Sequence, residues 1–274
     1  MFSWVILPFF VVSFSLGQLP ENAARSSALV LVKEVQRADY EGDRKTLKRL
    51  FEDLAPFADN KTISAKIHYW RGFALWRRAL NGFNESASHA ELEQDLSTAL
   101  SEFEKATALD LSFMDAKSAS ASCLQNLAFL HLVNKDGEGG RVLLEKSFPL
   151  LKEAEAEDPE NPRLLWVLGA SRWYTPPERG GGQAVAIATY EKGLRSARQQ
   201  TPKTTDPLMP SWGEPELLMN LAWANFNKNT PNLETAERYA SSALVIVPSW
   251  HYVRDILLPQ IRAAMPWRDE IHPK

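Results

Sequence analysis

The chain has 274 residues, of which 45% are hydrophobic and 24% charged, with a net charge of −3. That composition is globular, and the length suits one large domain or an extended repeat array. The charge balance argues against non-specific nucleic-acid binding, which needs a clustered excess of Lys and Arg, and the single cysteine, Cys123, excludes both an intrachain disulfide and a zinc cluster.

The chain opens on an apolar stretch from Trp4 to Leu16 that is too short to span a bilayer as a helix. It matches the apolar core of a secretory signal, with Ser15 and Gly17 placed for cleavage before Gln18, although no Lys or Arg precedes it. Residues 1–17 are therefore expected to be a signal peptide, with an uncleaved anchor as the alternative. No lipobox cysteine follows. The expected location is exported, periplasmic or secreted, with no membrane span once the signal is removed. Residues 18–264 form one helical repeat domain on this reading, and 265–274 a C-terminal tail.

After about Glu21, apolar residues recur at three- and four-residue spacings, without sustained strand-like alternation. Pro and Gly punctuate the segments at Pro56, Gly82, Gly137 to Gly140, Pro159 with Pro162, Pro176 to Gly182, Pro202 to Pro215, and Pro248. The segments come in pairs: 22–58, 64–109, 114–157, 162–198 and 215–247, with a closing helix from Trp250 to Ala264. The charged face with Lys45, Lys48 and Arg49 also carries acids and reads as solvated. Cys123 sits in an Ala/Ser-rich helix and reads as a small buried side chain.

The second segment of several pairs repeats a small–bulky–small stripe: Ala99, Phe103, Ala106; Ala186, Tyr190, Gly193; Ala236, Tyr239, Ala240. Ala154 and Ala243 each stand five positions before a proline, Pro159 and Pro248. The first segment of the fourth pair runs Leu165, Leu168, Gly169, Trp173, with weaker copies at Ile67 to Trp76 around Gly72 and at Leu218 to Phe226. Small residues facing each other let two helix backbones approach, and the bulky neighbour fills the gap.

In these positions the chain resembles the tetratricopeptide repeat. Leu165, Leu168, Gly169 and Trp173 (one position late) match the family's first-helix pattern. Ala236, Tyr239 (one position early), Ala243 and Pro248 match its second-helix pattern. The family period is about 34 residues, and extra residues at Asn81 to His89, Thr175 to Gly182 and Asn227 to Asn232 depart from it. The resemblance implies an all-α fold: a right-handed solenoid of about five antiparallel hairpins with a C-terminal capping helix. An unrelated helical bundle is the rival.

In that fold the stacked first helices line a concave groove. The matching positions are Lys66, Tyr69, Phe73, Trp76 and Arg77; Ser118, Ser122, Gln125 and Asn126; Arg163, Trp166, Trp173 and Tyr174; and Met219, Trp223 and Phe226. An aromatic wall with a few polar groups suits a peptide, a partner helix or a sizeable apolar ligand. A shift in helix phase would bury several of these rings between hairpins instead.

Chemistry-bearing motifs are scarce. The five histidines, His68, His89, His131, His251 and His272, form no HExxH motif or metal pair, and no Ser lies in a G-x-S-x-G elbow. The run Glu178 to Gln183 is glycine-rich but lacks the Lys and preceding strand of a phosphate loop. It reads as a lengthened turn, or as a recognition loop with Tyr174 and Arg179. The acidic stretch Glu153 to Glu160 lacks calcium-loop spacing. Sequons stand at Asn60 and Asn84. The expected function is therefore a non-catalytic protein-interaction scaffold with no cofactor. One alternative is a binding component for a small, partly apolar molecule, as the similar plan of exported tetratricopeptide-like proteins associated with tripartite transporters implies. Another is an enzyme whose site is assembled across hairpins.

Overall fold

Among the described residues, several helices begin where a short polar side chain, such as Asp43, Ser88, Asp136, Asn161 or Asn232, stands just before the helical run. The computed structural model describes residues 21–199 and 206–265. The N-terminal apolar segment and the tail beyond 265 lie outside these residues. Helix α1 spans Glu21–Tyr40 and α2 Arg44–Asp53, followed by a 3-10 turn at Ala55–Phe57. Then come α3 Ser64–Asn84, α4 His89–Leu109, α5 Met114–Val133, α6 Gly137–Glu157, α7 Pro162–Tyr174 and α8 Gln183–Gln199. After the 206–213 segment, α9 spans Glu214–Asn227 and α10 Leu233–Ile246. A π-helical turn at Tyr252–Leu257 then leads into α11, Leu258–Ala264. No strand occurs among the described residues, and none of their helices is long and apolar enough to cross a membrane.

The caps are local and legible. Asp43 accepts from the Thr46 amide at 2.9 Å, Ser88 from Glu91 at 3.3 Å, Asn161 from Arg163 at 2.9 Å and Asn232 from Thr235 at 3.0 Å. Each satisfies one of the orphan N–H groups of a first turn. One sequence expectation fails in α6. Gly137 to Gly140, expected as a turn, form its first turn, because Asp136 accepts from the Gly139 amide at 2.9 Å and nucleates the helix there. Pro149 lies inside the same helix. It is exposed, so the carbonyl left without its bond faces solvent.

Sequential neighbours α3 and α4, α5 and α6, α7 and α8, and α9 and α10 pack closely. Helices α2, α4 and α8 pack in addition against the helix that follows them, whereas α6 meets α7 only sparsely. Helices α1, α3, α5, α7 and α9 form an inner row in which each touches the next. The small-residue stripes sit at these contacts, and Ala99, Ala106, Ala186, Ala236, Ala240 and Ala243 are all fully buried. At Gly169 the approach is closest: a Cβ there would lie 2.2 Å from Cε1 of Tyr190.

The two ends of the described chain meet. The Tyr40 ring lies 5.0 Å from that of Trp250 in an edge-on arrangement, and the Tyr40 hydroxyl donates to Glu216 at 2.6 Å. Gly42, in the α1–α2 turn, stands beside the His251 ring.

Candidate functional site

The inner row carries the aromatic stripe that the sequence placed in a groove, and the chain covers that stripe itself. Residues 206–213 cross the inner face as a proline-containing strap that opens on a turn, with the Met209 amide donating to the Asp206 carbonyl at 3.0 Å. Asp206 pairs with Arg25 of α1 and lies 3.3 Å from Lys66 of α3. The Trp70 indole donates to the Leu208 carbonyl at 2.7 Å, and the Trp212 indole donates to the Tyr69 hydroxyl at 2.9 Å. Leu208 is fully buried and Trp212 nearly so. The strap ends on Gly213, whose φ of +146° a side chain would strain, and whose amide donates to Glu216 at 2.8 Å to open α9.

Tyr69, Phe73, Trp76 and Trp166 are consequently core, not groove wall. Their rings pack edge-on or tilted around Trp212, with Trp76 5.7 Å from Trp166 and Trp166 5.8 Å from Trp212. Clustered rings lose more water-exposed surface when covered by the strap than any open groove allows. The indole N–H groups of Trp76 and Trp166 have no acceptor among the described residues, a cost of filling the centre with rings.

Arg77 and Arg163, also expected to face a ligand, hold the architecture. Arg77 donates to Asp39 at 2.8 Å in a buried pair, and its guanidinium sits within 6 Å of the Phe73, Trp76 and Trp166 rings. Asn81 donates to the same Asp39 at 3.2 Å. Nearby, burial pushes the Glu216 carboxyl above its usual range, even though the Arg77 charge and the Tyr40 hydroxyl both favour its ionised form. Arg163 donates to Asp115 at 2.6 Å and to the Trp212 carbonyl at 3.1 Å, so it clamps the strap. Ser118 and Ser122 are buried too, and Ser118 donates back to its own helix at Met114.

The remaining expected residues lie nearer the C-terminal ends of the inner helices and keep some exposure. Trp173 and Trp223 form a half-buried edge-on pair at 5.0 Å. Tyr174 is 77% exposed, and Met219, Phe226, Gln125 and Asn126 are half-buried. Gln125 donates to Ser171 at 3.2 Å, linking α5 to α7, while Asn126 donates to the Ser122 carbonyl at 2.7 Å. The sequence reading missed the rest of this edge. Phe129, Leu132 and Val133, in the last turn of α5, are 53%, 50% and 59% exposed, and Phe83, at the end of α3, lies 6.0 Å from Phe129. Helices α3, α5, α7 and α9 thus each carry an aromatic or aliphatic side chain near the C-terminal end, with Phe83 beside Phe129 and Trp173 beside Trp223.

The opposite, N-terminal ends of α5, α7 and α9 border a broad cleft of about 1240 Å³. Its walls include the strap, the turn at Leu111 to Phe113 and the end of α6.

No family model and no curated protein matches the chain.

Titratable groups cluster at one further place. His68 Nδ1 lies 2.7 Å from Glu102, which also accepts from Arg71 at 2.9 Å and Lys105 at 2.9 Å. Burial would raise this carboxyl, but the three donors win and hold it at about 2. All of the carboxylate's partners lie on its own helix or on α3, and Arg71 is stacked on Phe51 at 4.1 Å, so the group fastens α2, α3 and α4 together. A folded-state value below the ordinary 4.5 means that its contribution is complete above 4.5 and is lost as pH falls toward 2. Urea titrations between neutral pH and pH 3 should show wild type losing more stability than Glu102→Gln; parallel losses would mean that the carboxylate stays protonated or unpaired in the folded chain. Cys123 is fully buried, and burial, with Glu104 nearby, pushes its thiol up, so it packs as a small core side chain.

Proposed function

We propose that this chain is a divergent tetratricopeptide-like array, a right-handed solenoid of five helical hairpins and a capping helix, that acts as a non-catalytic protein-binding scaffold outside the cytoplasm. The order of packing supports the family reading. An inner row of first helices, with second helices bridging to the next pair, is what small–bulky–small stripes in phase would build. The binding surface is the rim at the C-terminal ends of the inner helices rather than the concave centre, which the strap fills. The observation that carries this assignment is the exposure of Phe129, Leu132, Val133 and Tyr174 at the C-terminal ends of α5 and α7, with Trp173, Trp223 and Phe226 half-covered at the ends of α7 and α9. Aromatic side chains that lose their remaining exposure on association dominate interface energies. The export reading rests on the Trp4 to Leu16 segment.

The test is co-purification from the exported fraction with the wild-type chain and with a Phe129→Ser/Tyr174→Ala variant, followed by mass spectrometry. Both side chains are half or more exposed, so the variant should keep its stability within about 0.5 kcal/mol. One or more proteins retained by wild type should be lost from the variant. The same set of captured proteins from both would remove the rim as the binding surface.

A further inference from the structure

Glu216, in the first turn of α9, is a buried acid with no ion pair among the described residues. The residue is 1% exposed, and its two oxygens accept from uncharged donors: one from the Tyr40 hydroxyl at 2.6 Å, the other from the Gly213 amide at 2.8 Å. The cation whose charge reaches it, Arg77, is bonded instead to Asp39, which is 2% exposed and also accepts from Asn81. Two enclosed carboxylates therefore share one guanidinium. A carboxylate stripped of water and left without a paired cation is costly to keep charged, and taking up a proton removes that cost.

The surrounding charges do not relieve it. Asp39 from α1 opposes the ionised form and Arg77 from α3 favours it. Arg163 of α7 stands beside Gly213 but is bonded to Asp115 and to the Trp212 carbonyl. Arg198 of α8 pairs with Glu214, and the last turn of α10, Ala243 to Ile246, carries no charge. His251, beside Gly42, pairs with Asp255 at 2.8 Å. Burial prevails, and the Glu216 carboxyl moves upward from its ordinary 4.5.

The two donors belong to parts of the chain that must be held together. Tyr40 ends α1 with its ring against Trp250, and Gly213 ends the strap. A protonated Glu216 keeps both contacts: the Gly213 amide still donates to the carbonyl oxygen, and the Tyr40 hydroxyl turns from donor to acceptor. An ionised Glu216 regains water only by leaving them.

We propose that Glu216 is a proton-operated latch, which with a proton bound holds the strap end and the first helix against α9 and on ionisation lets them loosen. Its folded-state value lies above 4.5, so the latch is closed below 4.5 and opens as pH rises through the folded-state value. The device acts on the cover of the aromatic row and does not depend on the rim.

The test is hydrogen exchange of the 208–213 amides in the full chain, read by mass spectrometry from about pH 5 to about pH 8 and corrected for the intrinsic pH dependence of exchange. Protection in wild type should fall severalfold across that range. Glu216→Gln, which has no proton to lose, should give a flat profile. Tyr40→Phe removes the hydroxyl that favours the ionised form and keeps the ring on Trp250, so its profile should move to higher pH. His251→Gln should reproduce wild type. A flat wild-type profile, or an unaltered pH dependence in Glu216→Gln, refutes the latch. A profile flattened by His251→Gln assigns the response to the histidine and refutes it too. If Glu216→Gln does not fold, Tyr40→Phe decides: an unmoved profile shows that Glu216 is not the titrating group.

Discussion

Trp212→Ala should lower the unfolding free energy by about 3–5 kcal/mol, the range for truncating a fully packed indole. Trp212 is nearly inaccessible, lies within 6 Å of Phe73, Trp76 and Trp166, and donates to Tyr69. Removing it leaves a void at the centre of the ring cluster and strips the strap of its largest anchor. Strap and inner row are far apart in sequence, so the cost falls on tertiary structure and not on any one helix. Equilibrium unfolding in urea, followed by tryptophan fluorescence and circular dichroism, measures the change. A loss below about 1 kcal/mol would show the strap to be a loosely seated cover, and would return Tyr69, Phe73, Trp76 and Trp166 to the list of groove residues.

Gly169→Leu should cost about 3 kcal/mol, the upper end of what overpacking a helix contact produces. The Cβ alone would lie 2.2 Å from Cε1 and 2.4 Å from Cδ1 of Tyr190, and that ring is itself buried between α7 and α8. Tyr190 has no open side to rotate into, so the two helices must separate. The measurement is the midpoint of thermal unfolding, with Gly169→Ala as a graded companion that should fall between wild type and Gly169→Leu. Unchanged stability in both variants would mean that α7 and α8 do not approach as described, and would remove the register on which the tetratricopeptide reading of this pair depends.

Helical content and most helix ends were legible because they rest on local chemistry. Asp43, Ser88, Asn161 and Asn232 cap their own first turns, and no distant residue is needed to make them do so. The alanine and glycine stripes were legible for a related reason, since a small side chain at helical spacing has few uses other than close packing. The fate of the aromatic stripe was not legible. Tyr69, Phe73 and Trp76 fall on one helix face whether that face looks into a groove or into a core. What decides between them is Leu208 and Trp212, and the bond from Trp70 to Leu208 spans 138 positions. Within the proline-rich segment those two residues were the available hint, being large apolar side chains in a stretch otherwise read as punctuation. The rim at Phe129, Leu132 and Val133 escaped notice because apolar residues in a last helical turn look like core until the neighbouring helix is seen to stop short of them.

The meeting of Tyr40 with Trp250 and Glu216 sets a limit on how this chain can change over generations. Proteins assembled from stacked units commonly lengthen or shorten by gaining or shedding a unit at a terminus, since nothing beyond that terminus notices. Here α1 ends against Trp250 and Glu216, so a helix pair inserted between α2 and α9 would pry that joint apart. Deleting a pair from that span would leave it gaping. Between those two helices, variation is thus steered into loop length and surface chemistry.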